Sequence, residues 1–248
     1  MTIQHAENKV ALITGASRGI GAAIAQRLAA DGFNVIVNYA RGAAEAEALV
    51  QKIVWAGGKA ISAQADVSDA AAVRKMFDSA EQAFGGIDVL VNNAGIMSLS
   101  SIADFDDSAF DRLIDINLKG TFNTLREAAK RLRHGGRVIN FSSSVVGLYQ
   151  PTYGVYAATK AAVEAMSKVL TKELRGREIT VNVIAPGPTA TELFLDGKSP
   201  QLVEHIAKLA PLEHLGQPQD IAASVAFLAG PDGAWVNGQT IKVNGGII

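Results

Sequence analysis

The 248-residue sequence predicts an α/β fold, a single domain built on a doubly wound parallel sheet of about seven strands flanked by helices. Three observations predict it. Short β-branched runs alternate with longer helical patterns along the chain, as in strand–helix–strand units. Several of these runs are apolar at successive positions, as strands are when helices cover both faces of a parallel sheet. Gly32, Gly57 and Gly135 fall where helix ends want a left-handed residue. Right-handed crossovers then wind the sheet in both directions from its middle.

The elements follow in order. Strand Val10–Thr14 enters a glycine turn and a helix over Ile20–Ala30. Asn34–Asn38 precedes a helix at Ala43–Ala56, and Ala60–Gln64 precedes Ala70–Phe84. Val89–Asn92 leads to one long helical pattern, Ser108–Arg133, and Arg137–Phe141 leads to Val155–Leu174. After strand Thr180–Ile184 the rhythm breaks. Residues 188–216 form an excursion with one helical pattern, near Gln201–Leu209. A long connection inside a compact domain is usually functional, and this one leaves the carboxyl end of a strand, where such sheets bind ligands. It reads as a substrate lid, with a tolerated surface insertion as the alternative. Pro218 suits the first turn of helix Pro218–Ala229, and Gln239–Val243 is the last strand. Without repeats or linkers, residues 1–248 read as one domain. Trp55, Met76 and Phe84 lie in helical patterns and read as packing residues.

Composition removes several function classes. The net charge is −1 with no basic stretch, which argues against nucleic acid. With no cysteine there is no thiolate chemistry or disulfide, which fits a reducing compartment. Met1 to Lys9 lack an apolar core for a secretory signal, and no apolar run approaches the roughly 20 residues of a membrane span. A soluble cytoplasmic enzyme is the expectation. His5, His134, His205 and His214 show no evident partners, and no cluster has metal-ligand spacing. No G-x-S-x-G elbow suggests a hydrolase.

Gly15, Gly19 and Gly21 lie between the first strand and the first helix, where a tight turn lets backbone N–H groups and the helix dipole hold a dinucleotide's phosphates. Ser17, Arg18 and Ile20 share that turn. An acid at the end of the second strand would select NAD; this chain has Asn38, Tyr39, Ala40 and Arg41. Arg18 and Arg41 can pair with a 2′-phosphate, so NADP(H) is the predicted cofactor. Tyr156 and Lys160 are four residues apart in a helical pattern and project from one face. The ammonium is expected to lower the phenol's pKa, so that Tyr156 donates a proton in reduction and accepts one in oxidation.

Together these motifs resemble the short-chain dehydrogenase/reductase family, closest to its 3-oxoacyl-[acyl-carrier-protein] reductase-like branch. The likeness rests on Thr14-Gly15-x-x-x-Gly19-x-Gly21, Asp66-Val67, Asn92-Asn93-Ala94-Gly95, Asn117, Ser142–Ser144, Tyr156-x-x-x-Lys160 and Pro186-Gly187. It implies a Rossmann-type fold. It implies that Asp66 and Val67 hold the adenine, an Asx turn being the alternative for Asp66. Asn92, Ala94 and Gly95 would line the cofactor's ribose side, with Asn92 also bracing the sheet. Pro186, Gly187, Thr189 and Thr191 would approach the nicotinamide, and Lys160 would also bond its ribose. Asn117 would hold a relay water through its helix backbone.

The resemblance also implies a serine that holds the substrate oxygen. Counting back from Tyr156 gives Ser143, aligning on Val145-Val146-Gly147 gives Ser144, and Ser142 reads as structural. Ile96, Met97, Leu148, Tyr149, Gln150, Tyr153, Leu193 and Phe194 are candidate pocket residues for a largely apolar carbonyl or alcohol substrate. Arg131, Arg133 and Arg177 are candidates for docking an acyl carrier protein. A homotetramer is implied, with the apolar end Val243–Ile248 packing between subunits. The alternatives are a redox-sensing regulator without turnover, an NAD-dependent sugar or steroid alcohol dehydrogenase, and a sugar-nucleotide epimerase or dehydratase. The last is disfavoured by its different glycine spacing and larger substrate domain.

Overall fold

A computed structural model describes residues 8–248; His5 and the rest of the first seven residues lie outside it. Seven parallel strands form one sheet in the order β3-β2-β1-β4-β5-β6-β7. They are β1 Val10–Ile13, β2 Asn34–Tyr39, β3 Lys59–Gln64, β4 Ile87–Asn92, β5 Leu132–Phe141, β6 Thr180–Pro186 and β7 Thr240–Val243. All seven expected strands are present. The apolar run of β1 is explained by its two buried faces. Ala11 and Ile13 join one core cluster and Val10 and Leu12 the other, because alternate side chains leave opposite faces of a strand.

Helices cover both faces. α1 Gly19–Ala30, α2 Ala43–Trp55 and α10 Pro218–Ala229 pack on one side. α3 Ala70–Phe84, α5 Gly120–Arg131 and α7 Gly154–Glu173 pack on the other. Between them in chain order come α4 Asp107–Leu113, α6 Val145–Leu148, α8 Glu192–Leu195 and α9 Pro200–Ala207. Strand order reverses between β1 and β4, so the loops after these two strands part at their carboxyl ends and leave a crevice.

Four expectations need correction. The pattern at Ser108–Arg133 is not one α-helix: residues Ile114–Lys119 form a π-helical segment between α4 and α5. Gly135 has φ +73°, but it lies beyond the end of α5, in the irregular opening of β5. There Ile87 pairs with Leu132 while Val89 pairs with Arg137, so the expected Arg137–Phe141 is the regular part of a longer strand. Trp55 is 83% exposed at the end of α2, whereas Met76 is buried and Phe84 packs on the core. The excursion after β6 carries two helices, α8 and α9, of which only the second had a sequence pattern. Its ends are zipped together, Thr189 bridging Gly216 and Gly216 N donating to Pro188 O at 3.0 Å.

Among the described residues, no helix is long and apolar enough to cross a membrane, and no group of three or more His, Asp or Glu could hold a metal ion.

Candidate active site

The crevice is built by side chains that tie the ends of β1, β2 and β4 together. Thr14 Oγ1 accepts from Asn93 N (3.1 Å) and Ala94 N (3.0 Å). Asn93 Nδ2 donates back to Thr14 O and Gly15 O. Gly15, at φ +60°, lies so close to the β4 loop that a Cβ would stand 2.9 Å from Ala94 Cα. A Cβ on Gly21 would stand 2.5 Å from Gly15 O. Only glycine permits this turn. The turn opens α1, whose N-cap residue Arg18 makes no side-chain cap. The first N–H groups of the helix therefore face the crevice free, the donor set that phosphates need. Ser17, Arg18 and Ile20 all lie here, with Arg18 exposed and paired to Glu192 of α8 at 3.2 Å. Gly19 faces Thr191.

The other candidate cofactor residues are placed as follows. Asn38 is buried: its Oδ1 accepts from Gly15 N (3.2 Å), and its Nδ2 donates to Ala63 O and Ala65 O (both 3.1 Å). All its polar atoms are occupied, so it fixes the glycine turn and has no donor left for a phosphate. Tyr39 is buried and Arg41 exposed beside it. Asp66 makes an Asx turn, accepting from Ser68 N and Oγ, and Val67 packs where a Cβ on Gly120 would meet it at 2.6 Å. Asn92 is buried, donating to Asn140 Oδ1 (2.8 Å) and accepting from Thr124 Oγ1 (2.7 Å). Ala94 and Gly95 follow in the loop, and Pro186, Gly187 and Thr189 stand across the crevice at the end of β6. Thr189 Oγ1 donates to Gly187 O, and Thr191 caps α8.

One large cavity opens beside this loop, about 210 Å³ in volume. Ser143, Tyr156 and Lys160 all line it. All three serines line the cavity, but they differ in their partners. Ser142 is buried and donates to Glu164 (2.6 Å). Ser144 is buried and accepts from Asn244 Nδ2 (3.1 Å). Ser143 is partly open to the cavity, where its hydroxyl accepts from Val145 N at 3.4 Å and draws the neighbouring Tyr156 phenol downward. Burial pushes that phenol up to about 12, outweighing the downward pull of Ser143. The expected lowering by Lys160 is not realised. Burial depresses the Lys160 ammonium to about 8, and its Nζ donates to Phe141 O (3.1 Å), 5.7 Å from the Tyr156 ring centre.

Asn117 is fully buried in the π segment. Its Oδ1 accepts from Ile96 N and its Nδ2 donates to Ile96 O, both at 2.9 Å, while its own carbonyl accepts from Thr121 (2.8 Å). A Cβ on Gly95 would be 3.3 Å from Asn117 Oδ1 and 3.5 Å from Lys160 Nζ. The asparagine, the lysine and the loop after β4 therefore converge.

Seven of the eight expected pocket residues line the cavity; Tyr149 does not, being 83% exposed in a left-handed turn. Ile206, Leu209 and Ile247 line it without having been anticipated, because side chains from distant loops leave no local signal. Glu192 was missed for the same reason. The three arginines considered for carrier-protein docking are engaged within the chain. Arg131 pairs with Asp78, Glu81 and Glu127. Arg133 pairs with Asp88, and Arg177 donates to Ala129 O and Leu132 O. His134 has a partner after all, Glu178 at 3.3 Å.

The sequence and fold have clear relatives. A family model described as enoyl-(acyl carrier protein) reductase matches residues 15–248. The chain is 47% identical to an NADPH-dependent aldehyde reductase-like protein, chloroplastic, of Arabidopsis thaliana, over 97% of this chain and 94% of that one. It is 43% identical to the 3-oxoacyl-[acyl-carrier-protein] reductase FabG of Staphylococcus aureus, over 96% and 98%. A short chain dehydrogenase of Burkholderia cenocepacia, solved in complex with NADP, superposes with a TM-score of 0.93 at 38% identity, covering 98% of this chain and 99% of that one.

Proposed function

Because the chain belongs to the short-chain dehydrogenase/reductase family of oxidoreductases, we propose that it reduces a small, uncharged, largely apolar ketone or aldehyde to an alcohol with NADPH. The observation that carries this reading is the meeting of Ser143, Tyr156 and Lys160 at the head of an apolar cavity, beside the uncapped start of α1. The glycine turn fits a dinucleotide, since Gly15 and Gly21 close it to a radius no side chain allows. Arg18 and Arg41 would hold a 2′-phosphate, with no carboxylate at Asn38–Arg41 to oppose it. Arg18's pair with Glu192 is exposed and so weak enough to give way. The relative named for NADPH and the NADP complex support the same cofactor.

Bound NADPH supplies the reducing equivalent. Ser143 holds the substrate oxygen and Tyr156 Oη gives it a proton. A phenol held high remains protonated at neutral pH, ready to donate, which suits reduction. Lys160 and the backbone of Asn117 would relay a proton from solvent to restore the Tyr156 phenol. Residues 188–216 act as a lid on a single domain, since Leu193, Phe194, Ile206 and Leu209 close the cavity from that side. Among the described residues Lys160 is the only charged side chain lining the cavity, and the nearby arginines are internally paired. A free neutral carbonyl therefore fits better than an acyl-carrier-protein thioester. The exposed apolar residues of two helical layers support a homotetramer, and the absence of cysteine fits a cytoplasmic setting.

The test follows NADPH and NADH oxidation with aldehydes, diketones, cyclic ketones and acetoacetyl thioesters, with Tyr156→Phe beside the wild type. The expected result is NADPH-dependent turnover that falls at least about a thousandfold in the variant, and an NADPH preference that shrinks in Arg18→Ala. Tight NADPH binding with no turnover of any carbonyl would favour the sensor alternative.

A further inference from the structure

We propose that the segment Asn244–Ile248 is a strap that fixes the shape of the substrate cavity, with Ile247 as a specificity-determining wall residue. The proposal rests on the cavity being the carbonyl site argued above. β7 pairs in parallel with β6 as far as Pro186 and Val243, and Gly187 N donates to Val243 O at 2.9 Å. The chain beyond β7 therefore leaves directly beside the end of β6. Asn244 lies so close to Gly187 that a Cβ there would be 2.8 Å from Asn244 Cα.

From that point the segment holds three loops at once. Asn244 Nδ2 donates to Ser144 Oγ (3.1 Å), and its Oδ1 accepts from Gly246 N (3.0 Å). Gly245 and Gly246 are both left-handed, at φ +65° and +88°, and turn the chain under the end of the 188–216 excursion. A Cβ on Gly245 would meet Ala210 at 3.2 Å, and one on Gly246 would meet Pro211 at 3.3 Å. Ile248 lies over Gly147, where a Cβ would be 2.6 Å from its Cδ1. The double glycine turn thus presents Ile247 to the cavity that Ser143, Tyr156 and Leu209 also line. This use within the chain differs from the subunit packing expected of Val243–Ile248.

A wall set by a backbone pinned at both ends limits substrate size more firmly than a side chain on an unpinned loop. Trimming Ile247 should therefore open the cavity to a bulkier ketone. One methylene in such a pocket changes selectivity about 10- to 200-fold, so Ile247→Ala should shift the preference for 2-decalone over cyclohexanone by about tenfold or more, and Ile247→Val by less. Two readouts are taken: the ratio of kcat/KM values, and the ratio of dissociation constants from the fluorescence of NADPH on the loaded enzyme. The Kd for NADPH and the thermal midpoint should stay near wild type, since Ile247 is only half-buried. Ratios within twofold of wild type, or a wild-type cavity that takes neither ketone, would overturn the proposal. A shifted binding ratio without turnover would count against the reductase reading and leave the strap standing. Turnover with an unshifted ratio would do the reverse.

Discussion

Tyr156 and Lys160 stand one helical turn apart, and burial drives their pKa values in opposite directions, the phenol up to about 12 and the ammonium down to about 8. The lysine has a consequence for stability. Between pH 8 and its unfolded value near 10.4, the unfolded chain holds more protons at this residue than the folded chain. Stability from this group therefore rises with pH across that window, by about 1 kcal/mol per unit near pH 9. The tyrosine acts with the opposite sign, but only above about pH 10. Urea midpoints between pH 8 and 10 should show the wild type gaining on Lys160→Met as pH rises; a pH-independent gap would refute it. The spacing of this pair was legible because a four-residue interval fixes a shared helix face. The shifts were not, since burial is set by loops far away in sequence. The serine was ambiguous for a related reason: three identical neighbours differ only in what they touch. Ser143 lines the cavity with Tyr156 and draws its phenol downward, whereas Ser144 accepts from Asn244. Ser143→Ala should lower kcat/KM by about 100-fold or more with NADPH binding intact, and Ser144→Ala by far less, in the same NADPH assay. The reverse ranking would move the substrate oxygen to Ser144.

The π segment Ile114–Lys119 is where the pattern of apolar residues misled most. A single wide turn barely disturbs an apolar stripe, so α4, the π segment and α5 read as one helix. Such turns are rare and collect at functional sites, and here the wide turn carries Asn117. Its side chain satisfies both backbone groups of Ile96, taking its N–H and giving to its carbonyl. Asn117→Ala would leave buried backbone groups unpaired, at about 1–3 kcal/mol for each group stranded. The expected result is a thermal midpoint several degrees below wild type, together with reduced kcat, because the loop holding Gly95 against Lys160 loses its clamp. An unchanged midpoint would mean that the clamp contributes nothing. The four-residue helices α6 and α8 escaped for a simpler reason: one turn is shorter than any periodicity can register. The strands were easy by contrast, because β1 and β4 are buried on both faces and must be apolar nearly throughout.

At the scale of the molecule, the doubly wound parallel sheet followed from alternation and the handedness of crossovers, and no distant contact had to be known. Quaternary structure asks more, because it depends on which apolar side chains the fold leaves outside. The layer of α3, α5 and α7 leaves Phe122 46% and Val169 56% exposed. The opposite layer leaves Phe227 45% exposed on α10, followed by Trp235 at 97%. Apolar residues left outside at these positions point to partners, and they lie on opposite sides of the sheet. Two such patches, each pairing with its own copy, would give a tetramer with two independent twofold interfaces. Light scattering at micromolar concentration should therefore give the mass of four chains. Glutamates at Phe122 and Val169 should reduce it to a dimer through the surviving α10 side. Glutamates at Phe227 and Trp235 should also give a dimer, through the α5–α7 side, and all four together a monomer. A wild-type monomer would reject the assembly, and a dimer lost entirely by one pair of substitutions would assign a single interface to that side of the sheet.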